Sequence, residues 1–295
     1  MKLSNMEERY SNLKLAEKGA RISIIAYVVL TALKLGVGYF AGSKALFADG
    51  LNNSTDILAS LAVLIGLKIS RKPADEEHAY GHFRAETIAS LISSLIMIAV
   101  GLDVLYNAVI ATIYFKAQAP DLISAYTALV CGVIIYFVYR YNKKVALKIN
   151  SAGLMAAAKD NLSDAWVSVG AAVGIIASQF GLPWVDPLAA AIVGVLIIKT
   201  GRDIFVAAAR NLTDGYDKSE IDKVADRLNL IEGIHHVSAV RARLHGNVTH
   251  MDIIIHVDSE MTVSNAHKLT EEAERVLRDE YSITEVIIHV EPFHS

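Results

Sequence analysis

Six long apolar blocks alternate with short polar connections over the first two-thirds of the chain, and the pattern then breaks into short amphipathic periods. Read with a window of about 20 residues, the blocks occupy 21–42, 45–70, 87–114, 121–139, 151–180 and 187–206. At a rise of about 1.5 Å per residue, each is long enough to cross a hydrocarbon core about 30 Å thick. The first block follows some polar turns and has no small-residue cleavage site, so it reads as a span and not as a signal peptide. Residues 1–20 read as an interfacial amphipathic segment. Beyond residue 212, a helical period predicts helices over 217–228 and 264–280. Alternation predicts strands over 236–244, 248–257 and 285–291, with Gly246 and Asn247 turning between the first two. The order α-β-β-α-β is that of a small α+β domain, ferredoxin-like in kind. The expected organisation is therefore an N-terminal segment at 1–20, an all-α six-helix transmembrane bundle at 21–212 and a C-terminal cytoplasmic α+β domain at 213–295.

Basic residues are unevenly shared between the connections. Lys14, Lys18 and Arg21 precede the first block, Lys68, Arg71, Lys72 and Arg84 lie between the second and third, and Arg140, Lys143, Lys144 and Lys148 lie between the fourth and fifth. Arg202 and Arg210 follow the sixth, whereas the opposite connections carry Lys44 and Lys116. The positive-inside rule then places both termini in the cytoplasm, in a multi-pass protein of the cell membrane.

Composition removes other classes. Hydrophobic residues make up 53% of the 295 residues and charged residues 20%, where a soluble domain carries about a quarter charged residues. The single cysteine, Cys131, excludes a disulfide framework and a cysteine-rich zinc module. A formal net charge of −3 leaves no basic field for nucleic acid. No nucleophile elbow, phosphate loop or acid–base pair marks a soluble segment as an enzyme.

Ionisable residues inside apolar blocks are costly and point to function. The second block holds Asp49, Asn52 and Asp56, and the fifth holds Asp160 and Asp164. Asn52 and Asp56 are one helical turn apart, as are Asp160 and Asp164, so each pair shares a face. Counted from their block ends, both pairs lie roughly 14 to 16 Å deep, near mid-bilayer. The competing reading is polar glue between helices. Three carboxylates at one depth exceed what glue requires, and a divalent cation offsets their cost. Asp49, a turn outward of Asn52, either joins the site or lines its exit. Lys34, Asp103 and Lys199 read as packing partners or snorkelling side chains. A channel would spread its polar residues over several turns, and a metal-sensing scaffold could dispense with the membrane carboxylates.

Together these features resemble the cation diffusion facilitators. The resemblance rests on the paired polar residues of the second and fifth blocks, on the six spans and tail, and on GSKALFADGLNNSTD, PADEEHAYGHFRAETIAS, WVDPLAAAIVG and VIIHVEP. It covers nearly the whole chain. It implies a homodimer in membrane lipid that exports divalent metal ions in exchange for protons, with no cofactor, and a transport site of Asn52, Asp56, Asp160 and Asp164. Zinc members pair His with Asp in the fifth block, whereas the combination here is similar to that of the manganese branch. All-oxygen ligation independently suits hard cations such as Mn²⁺, and imidazole suits Zn²⁺. Mn²⁺ is the expected cargo, with Fe²⁺, Co²⁺ and Zn²⁺ open.

Asp75, His78 and His82 form either a ligand set or a solvated loop that caps the third helix. The resemblance matches them to a second, non-transporting zinc site. It also maps a regulatory metal site at the dimer interface onto His256, His267, His289 and Glu291, with Glu291 where the family has Asp and Ser238 where it has His. The alternative is ordinary surface histidines. Arg84 and Asp214 match a family charge interlock between the two domains, the alternative being two solvated charges.

Overall fold

The computed structural model describes residues 2–40, 44–114, 122–180, 182, 185–246, 248–281, 283 and 285–293. They form two compact units that divide between residues 208 and 209. The first is built from α1 (Lys2–Phe40), α2 (Lys44–Ser70), α3 (Arg84–Tyr114), α4 (Leu122–Ile149), α5 (Ala152–Gln179) and most of α6 (Val185–Leu212). Among the described residues, three stretches, Ser11–Phe40, Arg84–Ile110 and Leu122–Ile149, are long and apolar enough to cross a membrane. α2 and α5 interrupt their apolar runs with the carboxylates described below.

The burial pattern of this unit is inverted relative to a water-soluble protein. Ile25, Val28, Ile92, Leu95, Val130, Phe137 and Ile192 lie on the outside, while Ser23, Asn53, Asp56, Ser90, Asn142 and Asn161 are buried. An exposed apolar shell of this kind is favourable against lipid, and helices satisfy their own backbone there. The segment expected to be interfacial and amphipathic is helical from Lys2 and continues without a break into the first span, as α1, to Phe40. Leu13, Ala16 and Ala20 share a core with Val63, Leu67, Ala146 and Leu154, because the small alanines let α1 approach its neighbours closely. Glu17, on the same stretch, is paired with Arg71 at 2.9 Å and Arg21 at 3.4 Å.

Two details position the helices that matter for function. α3 and α6 meet almost backbone to backbone, since a Cβ on Gly101 would lie 3.2 Å from the Gly194 carbonyl oxygen or nearer to Ile198. The N-terminus of α5 is held by a side chain from α3. Glu86 accepts hydrogen bonds from the Gly153 amide at 2.9 Å and from the Ser151 hydroxyl, and Ser151 Oγ in turn accepts from the Leu154 amide at 3.2 Å. Free N–H groups at a helix start favour negative charge, so the arrangement fixes where α5 begins.

The second unit runs α7 (Lys218–Leu228), β1 (His236–His245), β2 (Val248–Val257), α8 (Val263–Tyr281) and β3 (Glu285–Pro292). Its sheet has the order β1-β2-β3, with β1 and β2 antiparallel and β2 and β3 parallel. The hairpin turns at Gly246, whose φ of 64° suits glycine, while Asn247 lies outside the described residues. Met251, Ile253, Ile255 and Val257 on alternate positions of β2 bury against Val224 and Leu228 of α7 and Leu269, Ala273 and Leu277 of α8.

Arg227 donates to both Glu280 oxygens, at 2.8 and 2.6 Å, and ties α7 to α8. Hydrogen bonds from Arg227 hold the Glu280 carboxyl below its usual value, and those from Ser219 do the same for Asp217, the N-cap of α7. Depressed folded-state values stabilise fully above the unfolded values of about 4 and lose their effect as pH falls through the folded ones. Acid titration of the tail domain is therefore expected to lower its Tm below about pH 4, and the Glu280→Gln, Asp217→Asn double variant should flatten that slope. An unchanged slope in the double variant would place the responsible carboxylates elsewhere.

Candidate metal centre

Asp56 projects from the middle of α2, and Asp160 and Asp164 from successive turns of α5. Only 3%, 5% and 6% of their respective surfaces are exposed. One carboxylate oxygen from each lies within 4.8 Å of the others. Opposite oxygens around a hard divalent ion stand about 4 to 5 Å apart, so an ion between these three needs only side-chain adjustment. Three acidic groups this close and this dry cannot all carry charge without a compensating cation. Asn52 and Asp49 lie one and two turns before Asp56 on α2, and their side chains fall outside the described residues.

A directed chain of donors ends at the carboxylates. Asn142 Nδ2 donates to Ser23 Oγ at 2.7 Å and to Asn161 Oδ1 at 3.1 Å, and the Ser23 hydroxyl donates to Asn161 Oδ1 at 3.0 Å. Asn161 Nδ2 donates to the Tyr27 phenol oxygen at 2.9 Å. With its oxygen accepting from Asn161, the Tyr27 hydroxyl points its own proton at Asp164 and at Asp160 Oδ2, the latter 3.3 Å away. The phenol thus orients two of the three carboxylates. Sequence reasoning missed this network, although a signal existed. Ser23, Tyr27 and Lys34 recur at intervals of four and seven residues in a stretch that is apolar but for them and Thr31, which puts them on one face of α1.

The α2–α3 loop holds a second cluster. His78 Nδ1 lies 3.0 Å and His82 Nε2 3.4 Å from the two Asp75 oxygens, and the imidazole centroids are 4.2 Å apart. Their ligand-type atoms fall within 4.8 Å of one another. The Asp75 carboxyl is held below its usual value: desolvation, the largest single influence, pushes it up, and hydrogen bonds from the His78 ring and amide with the electrostatic effect of His78 and His82 together outweigh it. A nitrogen-and-oxygen set of this kind suits zinc more than the buried all-oxygen set does.

In the second unit, cross-strand register sets His256 beside Glu291. His256 Nε2 and His289 Nε2 approach the Glu291 carboxylate at 3.7 and 3.4 Å. His267, on α8, pairs instead with Glu271 of its own helix at 3.5 Å. The structure thus gathers three of the four tail residues. His236, which sequence reasoning passed over, stacks on His256 with centroids 6.0 Å apart. Arg84 opens α3 in the first unit, and Asp214 lies in the second with a φ of 57°.

A helical membrane domain with an ion-sized cluster of buried carboxylates defines an integral membrane protein that takes a cation into its interior. Residues 20–213 match the cation efflux transmembrane domain, and residues 216–293 match the cytoplasmic domain of cation efflux proteins. The chain belongs to the cation efflux family. The manganese efflux system protein MneS of Bacillus subtilis (strain 168) is 48% identical over 285 residues, covering 97% of this chain and 98% of that protein. MneP, a manganese efflux system protein of the same organism, is 29% identical over 289 residues, covering 95% of this chain and 97% of its own. The magnetosome protein MamM of Paramagnetospirillum magneticum (strain ATCC 700264 / AMB-1) is 34% identical over 253 residues, covering 85% of this chain and 80% of its own.

Proposed function

We propose that this protein exports Mn²⁺ from the cytoplasm by alternating access, in exchange for protons. The observation that carries the reading is the donor set. Among the described residues, the buried centre offers carboxylate oxygens from Asp56, Asp160 and Asp164 and no imidazole. Oxygen ligands suit Mn²⁺, whereas zinc sites favour nitrogen and sulfur. Asn52, one turn before Asp56, completes the set as a fourth oxygen donor. Similarity to MneS over nearly the full chain supports the same cargo.

Coupling to protons follows from the chemistry of the site. Carboxylates must be deprotonated to bind metal. Without the ion, three of them in a dry interior hold protons between them. Metal arriving from the cytoplasm therefore expels protons, and protons arriving from outside expel metal. In this reading α1 to α6 all span the bilayer, both termini face the cytoplasm, and the ferredoxin-like tail pairs two copies into a homodimer. The exposed Ile287 beside His289 and Glu291 gives that pairing an apolar patch. Asp75, His78 and His82 form an accessory divalent site on the cytoplasmic side, and His256, His289 and Glu291 a regulatory one.

The test is uptake into proteoliposomes containing the purified dimer. Mn²⁺ should accumulate when a pH gradient opposes it and should slow when the gradient is collapsed. Movement of Zn²⁺ with no movement of Mn²⁺ would overturn the cargo, and indifference to the gradient would overturn the exchange.

A further inference from the structure

Lys34 lies on α1 with 1% of its surface exposed. Snorkelling, one of the two roles its sequence position allows, is thereby excluded. Its Nζ lies 3.3 Å from Ser168 Oγ and 3.5 Å from Asn53 Oδ1. These neighbours fix its place relative to the carboxylates. Asn53 stands three residues before Asp56 on α2, and Ser168 stands four residues after Asp164 on α5. Both displacements carry Lys34 toward the end of the bundle away from the α2–α3 loop, by about 5 to 6 Å along the helices. Its own position, seven residues past Tyr27 on α1, lies in the same direction. In the orientation of the functional reading above, on which this inference rests, that end faces out of the cell.

An ammonium buried at this depth is costly unless negative charge lies close by. Among the described side chains of α2 and α5, which carry these two neighbours, the acidic ones are Asp56, Asp160 and Asp164 of the metal centre. We propose that Lys34 is the resident counter-charge of the transport site and the gate on its outward side. Two consequences follow from its fixed charge. With Asp56, Asp160 and Asp164 ionised around the cargo and Asn52 and Tyr27 neutral, the ammonium brings the formal charge of this set, Asp49 left aside, to two minus. A divalent cation cancels that charge, whereas a monovalent ion leaves an uncompensated charge in a dry interior. The ammonium also repels the bound ion along the exit path, which limits affinity and speeds release.

The experiment compares wild type, Lys34→Met and Lys34→Arg as purified, folded dimers. Mn²⁺ binding is measured by titration and Mn²⁺ transport in proteoliposomes. Removing a positive charge one turn from a doubly charged ion should tighten binding and lower the apparent KM about tenfold, with Vmax falling by a similar factor. Lys34→Arg should stay close to wild type. A packing role would lower Vmax without lowering KM, and would make the methionine and arginine variants equally poor. Either that pattern or an unchanged Lys34→Met overturns the proposal. If Lys34→Met does not assemble, Lys34→Gln, whose amide can still reach Asn53 and Ser168, carries the comparison. Loss of assembly in both would also overturn it, in favour of an ammonium needed only for folding. A wild-type protein that moves no Mn²⁺ overturns the functional reading, whereas wild-type transport left unaltered by Lys34→Met overturns only the role of Lys34.

Discussion

Asp56→Ala and Asp164→Ala are each expected to abolish Mn²⁺ transport, by more than about a hundredfold, while the dimer stays folded. Each substitution removes a charged oxygen from a cluster whose members lie within 4.8 Å of one another. Asp56 and Asp164 are almost fully buried, so water is poorly placed to replace the lost ligand. The fold should survive because the carboxylates repel one another without metal, and deleting one relieves that repulsion. Asp164→Ala also frees the Tyr27 hydroxyl, which keeps Asp160 as an acceptor. Uptake into proteoliposomes together with size-exclusion chromatography of each variant checks this. Wild-type rates from both folded variants would remove the carboxylates from the transport path.

The second large effect concerns selectivity. Asp160→His should move the ratio of Zn²⁺ to Mn²⁺ transport toward zinc by on the order of tenfold. The imidazole supplies a nitrogen ligand that zinc favours, and the loss of one carboxylate weakens the electrostatic hold on which a hard ion depends more heavily. Asp160 has the weaker of the two contacts with Tyr27, at 3.3 Å, so its replacement disturbs the donor network less than a change at Asp164. Competition between the two metals in one uptake assay reads the ratio directly. An unchanged ratio would place selectivity elsewhere, in helix geometry or at Asp49.

Much of this protein was legible in its residues, for reasons that particular positions make plain. The order of the tail elements could be read because its helices and strands carry different apolar periods, and β2 buries Met251, Ile253, Ile255 and Val257 on alternate positions as that period requires. Asp56, Asp160 and Asp164 stood out because charge inside an apolar run is rare and costly. The packing of the N-terminal segment was not legible, because Lys14, Glu17 and Lys18 among apolar residues look the same on a membrane surface and on a helix packed inside a bundle. Burial of Ala16 and Ala20 and the pairing of Glu17 with Arg71 decided between them.

Local sequence thus determined which segments are helices or strands, that the acidic groups interrupt apolar runs and what kind of ligand they offer, since period, length and side-chain chemistry are properties of neighbouring residues. Only the tertiary structure decided which of those groups meet. Tyr27 and Asp164 are separated by 137 positions, Ser23 and Asn161 by 138, and Lys34 and Ser168 by 134. No period in the chain encodes such encounters. They depend on the rotation of each helix about its axis, which is set by packing against helices whose own rotation must be solved at the same time. That is why Tyr27, Asn142 and Asn161, unremarkable in sequence, turn out to form a network that ends at the carboxylates, and why Lys34 stood out by its charge but not by its neighbours.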